Sequence, residues 1–404
     1  MRASAYPMLT AEAAAALVLE RTPVLESETV ALADAPGRVA AEDVVARREL
    51  PGFQASAVDG YAIRSADGGG RLRVVGESAA GRPFAGPLEA GSAARILTGG
   101  VLPEGADTVV RVEEVEQLGD EVVVPAGFGA GHNFHAPGAD LRPGDVVVSR
   151  GRPLGAAELG LVAALGIDRL SVHRRPRVAL MSTGDELVEV GRPLGAGQIT
   201  DSNRWALLAA LREAGAEVEL LGIAPDRPEP LRELVVGALE RVDVLVTSGG
   251  VSVGTHDLVK PLLESLGEVH VGRVKLRPGK PFTFATLPLG RLAFGLPGFP
   301  VSSLVTFEVF VRPALRKLQG HSRLQRPELR VRLGYDAQAA GDRTEYQRVV
   351  LHREGPDLVA TSTGSQSSSR LMSLAGAHAL VRIPPGDRGY ATGTYVEALI
   401  LDLP

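Results

Sequence analysis

Val242-Asp-Val-Leu-Val-Thr-Ser-Gly-Gly-Val-Ser-Val-Gly-Thr-His-Asp257 is the stretch on which the reading of the fold turns. Its first six residues are a near-continuous apolar run, the pattern of a parallel strand buried on both faces. The run then breaks into Ser248, Gly249, Gly250, Ser252 and Gly254, whose small side chains let successive backbone N–H groups close around an oxyanion. Asp257 follows at once and opens a helical pattern over 257–266. An anion cradle beside a carboxylate calls for a cation between them, which is how a phosphate–Mg²⁺ site is built.

Outward from that stretch, apolar runs at 178–183, 218–223 and 292–296 alternate with helical patterns at 203–214, 229–240 and 301–319. Asp201 or Ser202 can cap the first of these helices and Gly215 closes it. Extended segments fill 268–276 and 282–287. Residues 173–320 therefore predict an open, mostly parallel α/β sheet with helices on both faces. The flanks differ in character. Over 71–150, short alternating runs separated by Gly and Pro turns predict a small β module, and five more runs beyond 320 predict a small C-terminal barrel. Near the start, Thr10 caps a helix over 11–20, followed by an extended 28–32, and a helical pattern returns at 152–165. The first 47 residues are too few for a domain of their own. They are expected to pack with 148–172, leaving 48–147 as an inserted β domain, 173–320 as the α/β domain and 321–404 as the barrel.

At 404 residues and 45% hydrophobic content the chain can bury several cores. It has no Cys, which excludes disulfides, thiolate nucleophiles and thiolate metal sites. A net charge of −5 with no basic block argues against nucleic acid as a partner. No run reaches the roughly 20 apolar residues of a membrane span, and the apolar stretch at 13–19 is flanked by Glu12 and Glu20, unlike a signal peptide. A soluble, cytoplasmic protein is expected. Positive charge is carried almost wholly by Arg, yet three of the four lysines, Lys260, Lys275 and Lys280, fall just after the opening stretch.

Ligands of open α/β sheets bind beyond the carboxyl ends of the strands. There this chain places Gly184, Asp185 and Glu186, then Asp226, then the Ser248–Gly254 cradle with Asp257, then Pro297-Gly-Phe-Pro300. Any one Asp after a strand is as readily a helix cap. Three acidic positions on one rim repel each other unless a divalent ion joins them, and hard oxygen ligands point to Mg²⁺. The helix that starts after Pro300 offers a second anion site at its N-terminus. Lys275-Leu-Arg-Pro-Gly-Lys280 is a turn able to aim three cations at one anion, or simply a solvated basic turn. The eight histidines show no paired metal-ligand spacing, and Ser248, Ser252 and Ser302 lack a nucleophile-elbow context.

Together these segments resemble the MoeA-type molybdopterin molybdenumtransferases, a family that includes the E domains of gephyrin and of its plant counterpart. The matching stretches begin with Ala57-Val-Asp-Gly-Tyr-Ala62, Ile96-Leu-Thr-Gly-Gly100 and Gly138-Ala-Asp140. They continue with Ser182-Thr-Gly-Asp-Glu-Leu187, Asp201-Ser-Asn-Arg204 and the opening stretch. Arg277-Pro-Gly-Lys-Pro281, Gly295-Leu-Pro-Gly-Phe-Pro-Val301 and the Ser-rich run at 364–374 complete them.

The resemblance implies four domains: a MogA-like α/β domain, the inserted β domain, an elongated α+β dimerisation domain and a C-terminal β-barrel. It implies a homodimer with an active site shared between subunits, and transient contact with a molybdopterin adenylyltransferase and with apo-molybdoenzymes. The implied reaction takes molybdate and adenylylated molybdopterin as substrates, uses Mg²⁺, hydrolyses the pyrophosphate-type bond and releases AMP. It carries catalytic roles to Asp59, Thr98, Asp140, Lys275 and Lys280, metal ligation to Glu186, Asp226 and Asp257, and substrate binding to Pro297 and Pro300 alongside the cradle. The family usually has Asn where Phe299 stands, Arg at His135 and Lys at Arg277. Two rival readings stay open, a molybdopterin adenylyltransferase and a non-catalytic dimeric scaffold.

Overall fold

The protein is described by a computed structural model covering residues 6–251 and 258–403. At its centre is a six-stranded sheet in the order Glu217–Ala224, Arg177–Thr183, Val244–Ser248, Arg291–Leu296, Thr283–Leu287 and Glu268–Val271. The first four strands pair in parallel, and Thr283–Leu287 pairs antiparallel with the strand on each side of it, which matches the open, mostly parallel sheet expected. Val178, Leu180, Val244, Val246, Leu292 and Phe294 face one layer of helices, whereas Ala179, Met181, Leu245 and Ala293 face the other. Side chains of period two are thus buried on both faces, which is why the strands read as unbroken apolar runs.

The extended segment expected at 268–276 is two strands in two sheets. Glu268–Val271 ends the α/β sheet, and Val274–Arg277 leaves it to pair in parallel with Thr344–Glu354 of the C-terminal domain. The change occurs at Gly272, where a Cβ would come within 2.9 Å of the Tyr6 ring. Five strands, Thr344–Glu354, Asp357–Ser362, Glu328–Leu333, Tyr395–Ile400 and Ala379–Ile383, close on themselves as the expected barrel-like sheet. Its lining of Val331, Leu333, Val349, Leu351, Val381 and Ile383 is fully buried.

Helix Ala11–Arg21 is capped by Thr10, whose Oγ1 accepts from the Ala13 N–H at 3.1 Å. It was grouped by sequence with 148–172, but Ala11, Ala14 and Val18 pack into the α/β core beside Leu315 and Leu318, and Leu9 pairs with Val274. The rest of the first 47 residues does meet the later segment. Ser27–Ala31 pairs with Arg169–His173, Val44–Val45 with Val146–Val148, and Val162 and Leu170 share a core with Ala35 and Ala40. Between these two segments lies an open six-stranded sheet, ordered Thr108–Arg111, Gly60–Ile63, Ser92–Ile96, Arg71–Ser78, Glu121–Val123 and Glu116–Leu118.

The long helix expected at 301–319 runs as Pro300–Thr306, a π turn at Phe307–Val311, and Arg312–Leu318. The widened turn admits Pro313, which has no N–H to donate, without ending the helix. Just past its end, burial and the nearby Arg316 and Arg312 guanidiniums push the His321 imidazole down to about 4. A folded His321 therefore stays neutral while the unfolded chain takes up its proton near pH 6.5. The stability it contributes is present above pH 6.5 and is lost as pH falls from there toward 4. Denaturant midpoints at pH 7.5, 6 and 4.5 are expected to decline less steeply in His321→Gln than in the parent.

Candidate active site

The carboxyl ends of the parallel strands open onto two adjoining clefts. One, of ≈ 530 Å³, is lined by Glu186, Asp226, Ser248, Gly249, Gly250 and Pro300, among others. Its larger neighbour, ≈ 930 Å³, adds Arg277, Lys280 and Arg343, together with the loop at 365–368 from the barrel domain. Glu186, Pro297, Gly298 and Phe299 face both clefts. Residues far apart in the sequence are thus brought to one rim.

Glycine is required at the cradle. Gly249 (φ +91°) and Gly250 (φ +66°) both adopt left-handed backbone, and a Cβ would sit 2.5 Å from the Thr183 carbonyl oxygen at the first and 2.7 Å from Thr183 Oγ1 at the second. The expected role of Gly249 as an N–H donor to an anion is not what the structure shows. Its N–H donates to the Leu296 carbonyl at 3.0 Å, continuing the ladder between Val244–Ser248 and Arg291–Leu296. Gly249 shapes the turn. Ser252, Gly254 and Asp257 lie outside the described residues.

The second anion site expected at the helix after Pro300 is also spoken for. Pro300 has no N–H, the Val301 N–H donates to the Ser368 carbonyl at 3.1 Å, and the Ser303 N–H to Phe299 at 2.9 Å. The barrel loop caps this helix. That loop is itself fixed from behind: Gln366 accepts from the Arg348 N–H at 2.8 Å, and Arg348 Nη2 donates to the Ser367 carbonyl at 3.1 Å. Arg348 is fully buried, and burial pushes its guanidinium down to about 10.

Lys275 does not line either cleft. Two residues before Arg277 and on the same strand face, it pairs with Asp342 of the barrel domain at 3.4 Å. Lys280 and Arg277 do reach the larger cleft, from a turn where a Cβ on Gly279 would meet Thr306 Cγ2 at 2.5 Å.

Sequence reading missed the floor. Asn203 Nδ2 donates to Ser248 Oγ at 2.8 Å and to the Gly298 carbonyl at 2.7 Å, tying two strand ends together. Beneath it, buried Asp201 accepts from Ser182 Oγ at 3.0 Å and pairs with buried Arg204 at 3.1 Å. Asp201, through its bond from the Arg204 N–H, is the cap, and Ser202 makes no capping bond. The one sequence signal was an Asp-Ser-Asn-Arg run richer in polar groups than a cap needs.

In the inserted domain Asp59 and Thr98 come together. Asp59 Oδ1 accepts from the Thr98 N–H at 2.7 Å and from Thr98 Oγ1 at 2.8 Å. These two bonds hold the exposed Asp59 carboxyl below its usual range. Asp140 is at the other end of the strip formed by 50–57 and 133–141, where its N–H donates to the Leu50 carbonyl. Neither cleft of the α/β domain is lined by Asp59, Thr98 or Asp140 of the same chain.

Among the described residues no group of three His, Asp or Glu is close enough to enclose a metal; Glu186, Asp226 and the buried Asp201, which is paired with Arg204, are the carboxylates that line the smaller cleft. No helix of the described residues is long and apolar enough to cross a membrane.

Ligands of open α/β sheets bind in the crevice at the carboxyl ends of the strands, and here that crevice is lined by both carboxylates and cations. Comparison with known proteins specifies the class. Residues 9–166 match the MoeA N-terminal region (domains I and II), 179–317 a probable molybdopterin binding domain, and 330–401 the MoeA C-terminal region (domain IV). A molybdopterin molybdenumtransferase of Nostoc sp. is 38% identical over 98% of this chain and 94% of its own length. Gephyrin of Dictyostelium discoideum is 36% identical over 99% of this chain, which spans 63% of that longer protein. The crystal structure of a molybdopterin biosynthesis MoeA protein from Pyrococcus horikoshii superposes with a TM-score of 0.82 at 33% identity, covering 98% of this chain and 99% of that one. The chain belongs to the MoeA family of molybdopterin molybdenumtransferases.

Proposed function

We propose that the protein is an enzyme of molybdenum cofactor biosynthesis that transfers molybdenum from molybdate to adenylylated molybdopterin, with hydrolysis of the pyrophosphate-type bond and release of AMP. The observation that carries this is the division of one rim into two chemistries. Asp226 faces the smaller cleft, Arg277, Lys280 and Arg343 face the larger, and Glu186 with the turn at 297–299 lines both.

The donor set on the acidic side fits Mg²⁺, which takes hard oxygens and is commonly held by one or two carboxylates plus substrate phosphates. Glu186 and Asp226 would hold it, with Asp257 as the expected third. When bound, the ion would neutralise phosphate charge and polarise the bond to be hydrolysed. The chain's own groups do the rest. Asn203 fixes the floor so that Ser248 and Gly298 keep a constant spacing, and backbone beyond Gly249 meets the phosphates. Arg277, Lys280 and Arg343 hold the tetrahedral oxyanion, the guanidiniums by paired N–H groups and the ammonium as a point charge. Phe299, 59% exposed and facing both clefts, offers a flat apolar surface for a ring of the substrate, where the family's usual Asn would offer an amide.

The reading includes a homodimer in which Asp59, Thr98 and Asp140 of the partner subunit complete the cleft. An ionised, exposed Asp59 suits orienting an attacking water. Transient contacts with an adenylyltransferase that delivers the adenylate, and with apo-molybdoenzymes that receive the product, belong to the same reading. The test is to mix purified protein with adenylylated molybdopterin, molybdate and Mg²⁺ and follow AMP. Release that needs both molybdate and Mg²⁺ is expected. Adenylate that binds but stays intact would overturn the transferase reading in favour of a scaffold, and formation of adenylate from ATP would favour the adenylyltransferase.

A further inference from the structure

Glu345 is a buried carboxylate with no place in the mechanism above. It stands in the barrel strand Thr344–Glu354, directly opposite Arg277 in the parallel pairing with Val274–Arg277. It is 2% exposed, and its Oε1 lies 3.6 Å from Arg277 Nε, an ion pair without a hydrogen bond. Its Oε2 is buried with no hydrogen-bond partner among the described residues.

Stability does not account for a charge kept in this state. Burying a carboxylate with one oxygen unsatisfied costs more than a hydrophobic residue of similar size would at the same strand position. Burial pushes the Glu345 carboxyl up, and the Arg277, Arg348 and Arg343 charges and Gln347 pull the other way, while Tyr335 is pushed up chiefly by its own burial and then by Glu345. Of those cations, Arg348 is already committed to Ser373 Oγ and to the Ser367 and Tyr346 carbonyls. Arg277 is the one that pairs with Glu345 and also faces the larger cleft, its side chain 48% exposed. Contact is made through Nε, at the root of the guanidinium, which leaves the terminal amino groups for an anion.

We propose that Glu345 is a positioning residue for the oxyanion, holding the Arg277 guanidinium across the domain boundary so that its terminal N–H groups face the larger cleft. The barrel domain thereby sets the geometry of a cation borne by the α/β domain. This rests on the reading of that cleft as the molybdate site.

The test is a double-substitution cycle read by calorimetric binding of molybdate alone and by the molybdate KM of AMP release. Glu345→Gln is expected to weaken molybdate about tenfold with kcat little changed, the size of one well-aimed charge-assisted contact. Arg277→Met is expected to weaken it by as much, and the double variant by no more than Arg277→Met alone. A cycle in which the two losses multiply, or a Glu345→Gln protein that binds molybdate like the parent, overturns the proposal. Should Glu345→Gln fail to fold, Glu345→Asp keeps the charge but withdraws it by one methylene, and must still raise KM selectively. An unchanged KM in that variant overturns the proposal equally. Failure of the underlying reading looks different: the parent protein itself then binds no molybdate, whatever stands at 345.

Discussion

Gly249→Ala is expected to lower stability by about 2–4 kcal/mol and to reduce AMP release at least a hundredfold. Two costs combine. The new Cβ would stand 2.5 Å from the Thr183 carbonyl oxygen, a backbone atom held inside the parallel sheet, and an L residue would be forced to φ +91°. Neither can be relieved by moving a flexible side chain, so the strand end must shift, taking Ser248 and its bond from Asn203 with it. Gly237→Ala is the control with the opposite sign. It lies in the helix Pro228–Leu239 with nothing within 4 Å of a built Cβ, and alanine there should add about 0.5–1 kcal/mol. Urea midpoints of the three proteins decide the matter. A Gly249→Ala protein as stable as the parent would mean the turn at 249–250 is softer than its contacts indicate.

Asp226→Asn carries the other large expectation, a fall in turnover on the order of 10²–10³, equivalent to about 3–4 kcal/mol of transition-state stabilisation. The amide keeps the shape and removes the charge that would face the cation. Asp226 is half-buried at a loop where its N–H donates to Asp185 Oδ1 at 3.4 Å, a backbone bond that the substitution leaves in place. The Mg²⁺ concentration needed for half-maximal AMP release should rise. Parent-like Mg²⁺ dependence in Asp226→Asn would remove this residue from the ion's surroundings.

What could be read from sequence was what has a period. Strands buried on both faces announce themselves as apolar runs, and the five runs expected beyond 320 correspond to the five strands of the barrel. The rim followed, because strand ends in a parallel sheet fall on one edge whatever their order in the chain. What escaped depends on meetings between distant segments. Nothing in Val269–Val274 distinguishes a single strand from two that belong to different sheets, since both halves alternate alike. Lys275 and Lys280 look equivalent in a basic turn, yet the first pairs with Asp342 of the barrel and the turn carries the second to the cleft. The N-terminus of the helix at Pro300–Thr306 looked open to an anion because its cap, the Ser368 carbonyl, comes from a loop almost seventy residues later. Asp201 read as an ordinary capping residue because its second partner, Ser182, lies on another strand, and Asn203 drew no notice because Ser248 and Gly298, which it joins, are far from it in the chain.

The passage of Val274–Arg277 out of one sheet and into another bears on how the molecule comes apart. Leu9–Thr10, Val274–Arg277 and Thr344–Glu354 form one continuous ladder through three regions of the chain. A cut between 320 and 321, the natural place to divide the sequence, would strip that ladder of its far side. It would leave Val274–Arg277 as a raw edge ready to pair with another chain. The barrel and the α/β core should accordingly exchange their amide protons as one cooperative unit. The inserted β sheet, joined by no such ladder, should open on its own at lower free energy.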